Sequence, residues 1–371
     1  MESHTDVPLS SVSTPTSRAS FVRHLHRGDL RGTAQLAVEA TLEVSRLVET
    51  VHAGVLRPLP APSSPPSRTH GLTGWIYRTV RQIIRLSGWG TTRVLYAAEQ
   101  ALPPRTSPES DARQRLLSIL NGIVGDHLAD SGNPLARSFS LRTSRGTHVD
   151  ADAATSGSLV VFVHGLCLSD RSWASDGDGP GHVEALTGIL NGTPVFARYN
   201  SGRPPRINGR LLSDHLETLV TGCDRPSRIV LVTHSMGGLV ARSAFEHARR
   251  SSARWVDLVS ETIYLGTPHR GAPLERIGAW IEAQLRRTRF TLPVADVASL
   301  RSRGIQDLGH GAPGADTPSS VGPDNAATTP ALPGRSLYVA AVLAPGQPAE
   351  DTVGDGLVPL SSALNAPDAS S

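Results

Sequence analysis

Residues 228–242 read RIVLVTHSMGGLVAR. The apolar, β-branched run before the serine is typical of a buried strand, and apolar side chains recur at helical spacing after it. This order predicts a strand, a sharp turn that carries Ser235, and a helix, the arrangement known as a nucleophile elbow. Gly237 and Gly238 provide the small residues that so tight a turn requires. Thr233 departs from the usual G-x-S-x-G pattern, which has a glycine at that position.

The regions on both sides of this segment continue the alternation of strands and helices. The predicted strands are Leu159–Val163, Val195–Tyr199, Ile229–Val232, Thr262–Leu265 and Ser336–Leu343, with a short leading hairpin at Ser138–Thr143 and His148–Val149 and helices at Leu211–Val220, after Ser235 and at 272–290. Such alternation predicts an α/β class with a mostly parallel sheet and helices on both faces. The α/β domain is predicted to span residues 139–365, with a flexible loop at 309–335 and a tail at 366–371.

A helical segment is predicted at residues 29–131, after a disordered tail at 1–28 that is rich in Ser, Thr and Pro. Its three helical patterns are Arg31–Val51, Leu72–Leu86 with a continuation to about Gln100, and Ala112–Leu128. The second helix carries arginines beside its apolar face and Trp75 and Trp89 near its ends, which is typical of a helix on a membrane surface. We favour the alternative, a small helical layer packed on the α/β domain.

The composition narrows the class of protein. The chain has 371 residues, 39% of them hydrophobic, and a formal net charge of +3. It contains arginine but no lysine. So slight a charge does not predict a nucleic-acid partner. An apolar run of about 18 residues and a leading signal peptide are both lacking, so we expect a cytoplasmic protein, with peripheral membrane association left open by the N-terminal helices. Cys167 and Cys223 have no metal or redox spacing and are predicted to be buried free thiols.

Five motifs together resemble those of a known superfamily. They are VFVHGL at 161–166, THSMGGLVARS at 233–243, LGTPHRGAPLE at 265–275, RSRGIQDL at 301–308 and GDGLVPLSSA at 354–363. Over roughly residues 139–365 the chain resembles the α/β-hydrolases of the lipase and esterase type, and among them bacterial proteins similar to the GPI inositol-deacylase (PGAP-like) lipase group. The resemblance implies the α/β-hydrolase fold and an ester-cleaving serine.

Ester cleavage requires a nucleophile and donors for the negative charge that develops on the carbonyl oxygen. Ser235 is the candidate nucleophile, and the backbone N–H of Met236, at the start of a helix, is one candidate donor. The turn after the first core strand supplies the second, which we assign to the N–H of Leu166, with Gly165 allowing close approach. Because the sequence has no metal-ligand cluster and no phosphate-binding loop, we expect neither a metal nor an organic cofactor.

Ester cleavage by a serine also requires a base that takes the serine proton and an acid that orients this base. The acid has a clear candidate in the sequence, whereas the base does not. Asp355 is the predicted acid, because it matches the DGLVP motif of the resembled family and follows Ser235 in the chain order that this fold uses. Asp351 is the nearest competing carboxylate. All 14 histidines lie before residue 311, although the resembled family places its catalytic histidine after the acid.

Three interpretations of the base stay open. The chain can be truncated at its C-terminus, so that a last strand and helix are missing together with the catalytic histidine. It can be a non-catalytic relative that keeps the architecture. Alternatively, another histidine has taken over, with His269 and His310 as the candidate substitute bases or pocket-lining residues. His234 is expected to pack below the site.

The leading functional prediction is a serine carboxylester hydrolase that acts on a lipid-like or other acyl ester through an acyl-Ser235 intermediate, in a truncated chain. The alternative is a binding or scaffold protein that retains the hydrolase fold without turnover. A third hypothesis makes the N-terminal helices the functional part, which would dock on a membrane or on a partner protein.

Overall fold

The computed structural model describes residues 26–55, 69, 71–101, 109–149, 158–174, 181–222, 228–273, 277, 302–310, 334–342 and 358–365. Most of the predicted tail at 1–28, helix at 272–290 and loop at 309–335 lie outside these residues. Cys223, Asp351, Asp355 and the tail at 366–371 also lie outside them. The predicted truncation stays a prediction. The chain forms two compact units, Met1–Arg113 and Gln114–Ser371.

The first unit contains two long helices, as the sequence predicts. Helix α1 spans Asp29–Val55 and helix α2 spans Gly71–Ala101. A third helix, α3 at Asp111–Asp130, begins in this unit, but its greater part belongs to the second, so it groups with the sheet. None of the helices in the described ranges combines the length and the apolar character needed to cross a membrane.

The second unit is built on a six-stranded sheet. Its strands are β1 at Ser140–Arg142, β2 at Ser158–Val163, β3 at Gly192–Arg198, β4 at Ile229–His234, β5 at Val259–Leu265 and β6 at Arg335–Val339. They lie in the order β1-β3-β2-β4-β5-β6, and only β1 is antiparallel to its neighbour. The predicted mostly parallel sheet is therefore confirmed. Because parallel strands share a direction, the turns after β2, β4 and β5 meet at one edge.

Both faces of the central strands are buried. Val160, Phe162, Val230 and Val232 form an apolar cluster on one face, which residues of a helix at 182–190 cover. Alternate residues such as Val161 and Leu231 point to the opposite face and are fully buried as well. Strands buried on two sides are nearly continuous apolar runs, which is why the sequence around Ser235 could be assigned to the core.

Five further helices and two short 3-10 turns complete the described part of this unit. The helices are α4 at His182–Leu190, α5 at Pro205–Thr221, α6 at Met236–Ser251, α7 at Arg303–His310 and α8 at Leu360–Ala363, and the 3-10 turns are Asp170–Trp173 and Arg254–Leu258. The predicted leading hairpin is present as β1 and a single bridge between Arg142 and His148.

The last strand is shorter than the sequence predicts. A strand was expected over Ser336–Leu343, but β6 ends at Val339. Its neighbour β5 ends at Leu265, opposite Val339, and Gly266 then turns away with φ 56°. The N–H of Gly266 donates the final hydrogen bond to the Val339 carbonyl at 2.8 Å. Residues after Val339 therefore have no partner strand, whatever their β propensity.

Candidate active site

Ser235 occupies a strained turn between β4 and α6. Its backbone has φ 52° and ψ −124°, a conformation that side-chain-bearing residues rarely adopt. The Ser235 N–H donates to the Leu265 carbonyl at 2.9 Å, and the Ser235 carbonyl accepts from the Gly238 N–H at 3.0 Å. The flanking strand and helix therefore hold the serine in this conformation. The side chain is 7% exposed, and its hydroxyl has no hydrogen-bond partner among the described residues.

The two glycines after the serine are required by close backbone packing. A Cβ on Gly237 would lie 2.3 Å from the Val163 carbonyl oxygen and 2.6 Å from that of His164. A Cβ on Gly238 would lie 2.1 Å from Oγ1 of Thr267. These contacts leave no room for a side chain, so the glycines let α6 approach the ends of β2 and β5.

The structure accounts for Thr233, which replaces the usual first glycine of the motif. Its side chain is fully buried, and its hydroxyl donates to the carbonyl of Ile263 on the adjacent strand β5 at 3.1 Å. The hydroxyl is thus paired with the sheet, as a buried polar group must be. A threonine is therefore compatible with the elbow at this position.

The turn after β2 lies directly against the serine. A Cβ on Gly165 would be 3.0 Å from both the Cβ of Ser235 and Nδ1 of His234. The turn is fixed by the Leu168 N–H, which donates to the Gly165 carbonyl at 3.3 Å. The same turn carries the predicted second donor, Leu166.

Leu166 directly follows Gly165 in the chain, Met236 directly follows Ser235, and both residues are buried. The two residues are 3% and 0% exposed, and within the described ranges neither amide donates a hydrogen bond. The Met236 amide is free because the first N–H groups of a helix have no intrahelical acceptor. Its position at the helix N-terminus also favours a negatively charged ligand. Among the described residues both predicted donors are therefore without an acceptor, which is compatible with binding an oxyanion.

Cys167 follows this turn and does not take part in the chemistry. It is a buried free thiol, as predicted, and has φ 58°. Its sulfur faces Gly122 of α3, where a Cβ would lie 2.2 Å away. Burial raises the pKa of the Cys167 thiol to about 12, so the reactive thiolate does not form at neutral pH.

A buried ion pair between Arg198 and Asp170 holds the segment that follows the turn after β2. Arg198, at the end of β3, donates to both carboxylate oxygens of Asp170 at 2.7 and 2.9 Å. Burial alone would raise the pKa of Asp170, but the hydrogen bonds and charge of Arg198 outweigh it and lower that pKa below its ordinary value. The bidentate geometry anchors the 3-10 turn that follows Gly165 and Leu166 in the chain.

His269 lies in the turn after β5, at the same edge of the sheet as Ser235. The Arg242 guanidinium donates to its Nδ1 at 2.9 Å, and because a guanidinium only donates, the proton of the neutral ring must be on Nε2. Nε2 is buried without an acceptor among the described residues. Burial and the charge of Arg242 lower the pKa of His269 to about 3. With its basic nitrogen already occupied, the ring is unsuited to take the serine proton.

His164 and His234 also lie near the turn, and neither contacts the serine hydroxyl. The His164 ring stacks on Tyr199 at 4.1 Å, and its Nδ1–H donates to the Gly165 carbonyl at 2.8 Å. Burial lowers the pKa of His164 to about 4, so the ring is neutral. His234 is half-buried and lies edge-on to Trp173 at 6.3 Å.

The described end of the acid motif packs on the turn of His269. The Ser362 carbonyl accepts from the His269 N–H at 3.2 Å, and the Ser362 hydroxyl accepts from the Arg270 N–H at 3.1 Å. The end of α7, which carries His310, lies beside the same turn, because the Ala272 N–H donates to the Leu308 carbonyl at 3.3 Å. Asp355 itself lies outside the described residues.

Two residues of this site were not predicted from the sequence. Arg242 and Tyr199 were not singled out, yet they fix His269 and His164 respectively. A signal for Arg242 exists, since it stands seven residues after Ser235 and therefore on the same side of α6. The stacking of Tyr199 has no sequence signal, because it depends on the pairing of β3 with β2.

Within the described part of the chain, no group of three or more His, Cys, Asp or Glu side chains could hold a metal ion.

Comparison with known proteins agrees with this geometry. Residues 201–291, which include the elbow and the His269 turn, match the family model described as a PGAP1-like alpha/beta domain. Over these residues the chain is similar to that family. Its predicted resemblance to the PGAP-like lipase group is confirmed over the matched residues. Sequence comparison with curated proteins gives no match.

Solved structures of lipases and an esterase resemble parts of this chain. The mature form of Bacillus licheniformis lipase BlEst2 is 19% identical with a TM-score of 0.36, over 61% of this chain and 84% of that one. Aspergillus fumigatus lipase B is 13% identical with a TM-score of 0.28, over 36% of this chain and 29% of that one. A Pyrobaculum calidifontis esterase is 15% identical with a TM-score of 0.26, over 55% of this chain and 78% of that one. The match thus spans less than a third of the Aspergillus lipase.

Proposed function

We propose that this chain is an α/β-hydrolase, and that it acts as a serine carboxylester hydrolase on lipid-like or other acyl esters. The observation that carries the proposal is the strained Ser235 with the free, buried amides of Leu166 and Met236 beside it. Strain of this kind costs about 1–3 kcal/mol and persists where a function requires it. A free amide at Met236 is expected at the start of any helix, but a serine with only a structural role would need neither the strain nor the second unbonded amide at Leu166.

The chemistry follows from the positions of these groups. Ser235 Oγ attacks the ester carbonyl carbon, and the Leu166 and Met236 N–H groups donate to the oxygen as it becomes negative. Each such donor typically lowers the barrier by about 2.7–4 kcal/mol. The C–O bond to the alcohol then breaks, the alcohol leaves with a proton, and water hydrolyses the acyl-Ser235 ester.

The proton of Ser235 must pass to a base, and the identity of the base is part of the proposal. We propose that His269 is not that base, because its Nδ1 accepts from Arg242, and that it instead forms a wall of the site. We assign Asp355 as the acid on its motif match and on the packing of Ser362, from the same motif, against the His269 turn. His310, at the end of α7, is the other candidate base.

The second candidate function is a binding protein with a hydrolase cradle and no turnover. The observation that favours it is the Ser235 hydroxyl, which has no hydrogen-bond partner, and thus no base, among the described residues. Such a protein would still bind an acyl ester or fatty acid between the serine and the two amides.

Fluorophosphonate labelling of the full chain, read by intact mass, separates the two functions. Such a probe requires an activated serine and a formed oxyanion site, but no knowledge of the substrate. We expect one adduct, which disappears in Ser235→Ala and persists in Ser243→Ala, a matched buried serine on α6. A folded chain that reacts only when imidazole is added has the cradle but lacks its base. A folded chain that stays unlabelled under both conditions overturns the hydrolase proposal.

A further inference from the structure

The helix pair of the first unit has charged and polar groups on its inner side. The Glu49 carboxylate forms a buried ion pair with Arg81 across the two helices. The same carboxylate accepts from the Thr69 N–H and hydroxyl at 3.2 and 3.0 Å. Nearer the other end, Glu99 accepts from the Gly28 N–H at 2.9 Å and from Arg31 at 3.2 Å. These contacts tie α1 to α2 through polar groups, where a helix pair in water normally buries apolar ones.

Large apolar side chains lie on the outer surface of the same pair. The exposed fractions on α2 are Trp75 58%, Ile76 47%, Val80 41%, Ile83 59%, Leu86 66%, Trp89 63% and Val94 69%, and those on α1 are Val44 58%, Leu47 64% and Val48 49%. Single exposed apolar residues are ordinary, but a contiguous apolar surface marks an interaction site. Much of the apolar surface of this helix pair is therefore left uncovered by the described residues.

The outer surface of α2 is also cationic. Arg78, Arg85 and Arg93 are exposed, and Arg93 lies over the Trp89 ring at 5.1 Å. The only acidic residue of α2 is Glu99, which pairs with Arg31 of α1. The outward charge of α2 is therefore purely positive, which complements an anionic partner.

The order of residues around α2 matches the layers of a lipid interface. At about 100° per residue, Arg78 and Arg85 share one line along the helix, and the tryptophans lie next to that line. The exposed aliphatic residues of α2 lie on the far side of the tryptophans and form what we call the aliphatic stripe: Ile76, Val80, Ile83, Leu86 and Val94. Headgroup-binding cations, interfacial tryptophans and acyl-facing aliphatic residues occupy this same order in helices that lie on membranes.

We propose that the α1–α2 pair docks through α2 on a lipid surface that contains anionic headgroups. The helix lies along the surface, since none of the described helices is suited to cross a membrane. The arginines bind the headgroups, and the stripe enters the acyl boundary. This docking does not depend on the proposed hydrolase function, because it uses no residue of the Ser235 site.

Vesicle co-sedimentation of the full chain tests the proposal. We expect binding to vesicles of phosphatidylcholine and phosphatidylglycerol in equal parts, much weaker binding to phosphatidylcholine alone, and loss of binding as salt increases. Ile83→Glu with Leu86→Glu should lower the affinity at least about tenfold. Arg78→Gln with Arg85→Gln should lower it by about fivefold for each arginine. Ile189→Glu is the matched control, because Ile189 is an apolar residue of α4 with 82% exposure, and it should bind like the parent.

The outcomes distinguish the proposal from its competitors. Circular dichroism establishes that each variant is folded, and the arginine pair keeps the test decisive if the glutamate pair unfolds. Equal binding of the parent and both folded α2 variants overturns the proposal. A dimer that forms with concentration and does not bind vesicles also overturns it, since the apolar surface is then an interface between copies. Ser235→Ala should bind vesicles like the parent, which separates this result from any failure of the ester-hydrolase proposal.

Discussion

Arg242 donates a hydrogen bond of 2.9 Å to Nδ1 of His269, and so joins the helix that begins at Ser235 to the turn after β5. This bond sets the tautomer of the His269 ring and occupies its basic nitrogen. Tyr264 and Tyr338 hold the same ring edge-on at 4.8 and 5.2 Å. A histidine at the rim of the candidate site is thereby held as a fixed wall.

The first prediction concerns this wall. Replacing His269 by glutamine keeps a side-chain acceptor for Arg242, so the labelling rate of Ser235 by a fluorophosphonate should stay within about threefold of the parent. If His269 were the general base, the rate would fall by a factor of about 10² to 10⁴. Intact-mass kinetics on the two chains, with imidazole added to both if the parent requires it, distinguish the two results.

The second prediction is a loss of stability in mild acid. Burial, together with the Arg242 charge for His269, lowers the pKa of His164 to about 4 and that of His269 to about 3, whereas unfolded histidines titrate near 6.5. Below pH 6.5 the unfolded chain therefore binds protons that the folded chain does not. The free energy of unfolding should fall, by on the order of a few kcal/mol for each ring, as pH drops from about 6.5 through about 4.

Urea unfolding of the parent and of His269→Gln, at neutral pH and near pH 5, measures this effect. The variant has one depressed histidine fewer, so its midpoint should depend less steeply on pH than that of the parent. Equal slopes for the two chains would show that His269 is not buried in its neutral form.

The third prediction uses the strain at Ser235. Its φ of 52° and ψ of −124° suit glycine but not alanine. Ser235→Gly should therefore be more stable than Ser235→Ala by about 1 kcal/mol, after the extra freedom of glycine in the unfolded chain is counted. Neither variant retains the hydroxyl, so thermal unfolding of the pair isolates the strain. Equal melting temperatures would mean that the turn relaxes at little cost.

The elbow could be predicted from sequence because it is local. A buried strand, a serine, two glycines and a helical repeat lie within 228–242, and the contacts of Gly237 and Gly238 with the strand ends explain why no other residue fits there. The end of β6 at Val339 could not be predicted, because it is set by where β5 ends rather than by the residues of β6. The role of His269 depends on Arg242, which is distant in sequence and adjacent only after folding.

The outward polarity of α2 illustrates the same limit. Its sequence has the period of an amphipathic helix, from which we favoured a helical layer packed on the α/β domain. Which face turns toward α1 is decided by Glu49 and Arg81, whose buried pairing leaves Ile83 and Leu86 outside. The period of a helix predicts that it has two faces, but not which of them is covered.

The last prediction separates close packing from helix propensity at two glycines. In Gly237→Ala the new Cβ would lie 2.3 Å from the Val163 carbonyl oxygen and 2.6 Å from that of His164. Both oxygens belong to the backbone, which cannot rotate away as a side chain can. We expect a loss of about 3 kcal/mol or more, because α6 must move away from β2. Gly188 is the matched control: it also lies in a helix, α4, but a Cβ there would meet nothing within 4 Å. Gly188→Ala should therefore gain about 0.5–1 kcal/mol from helix propensity alone. Urea midpoints of the two variants should move in opposite directions from that of the parent, and a shift of the same sign in both would contradict the close approach at the elbow.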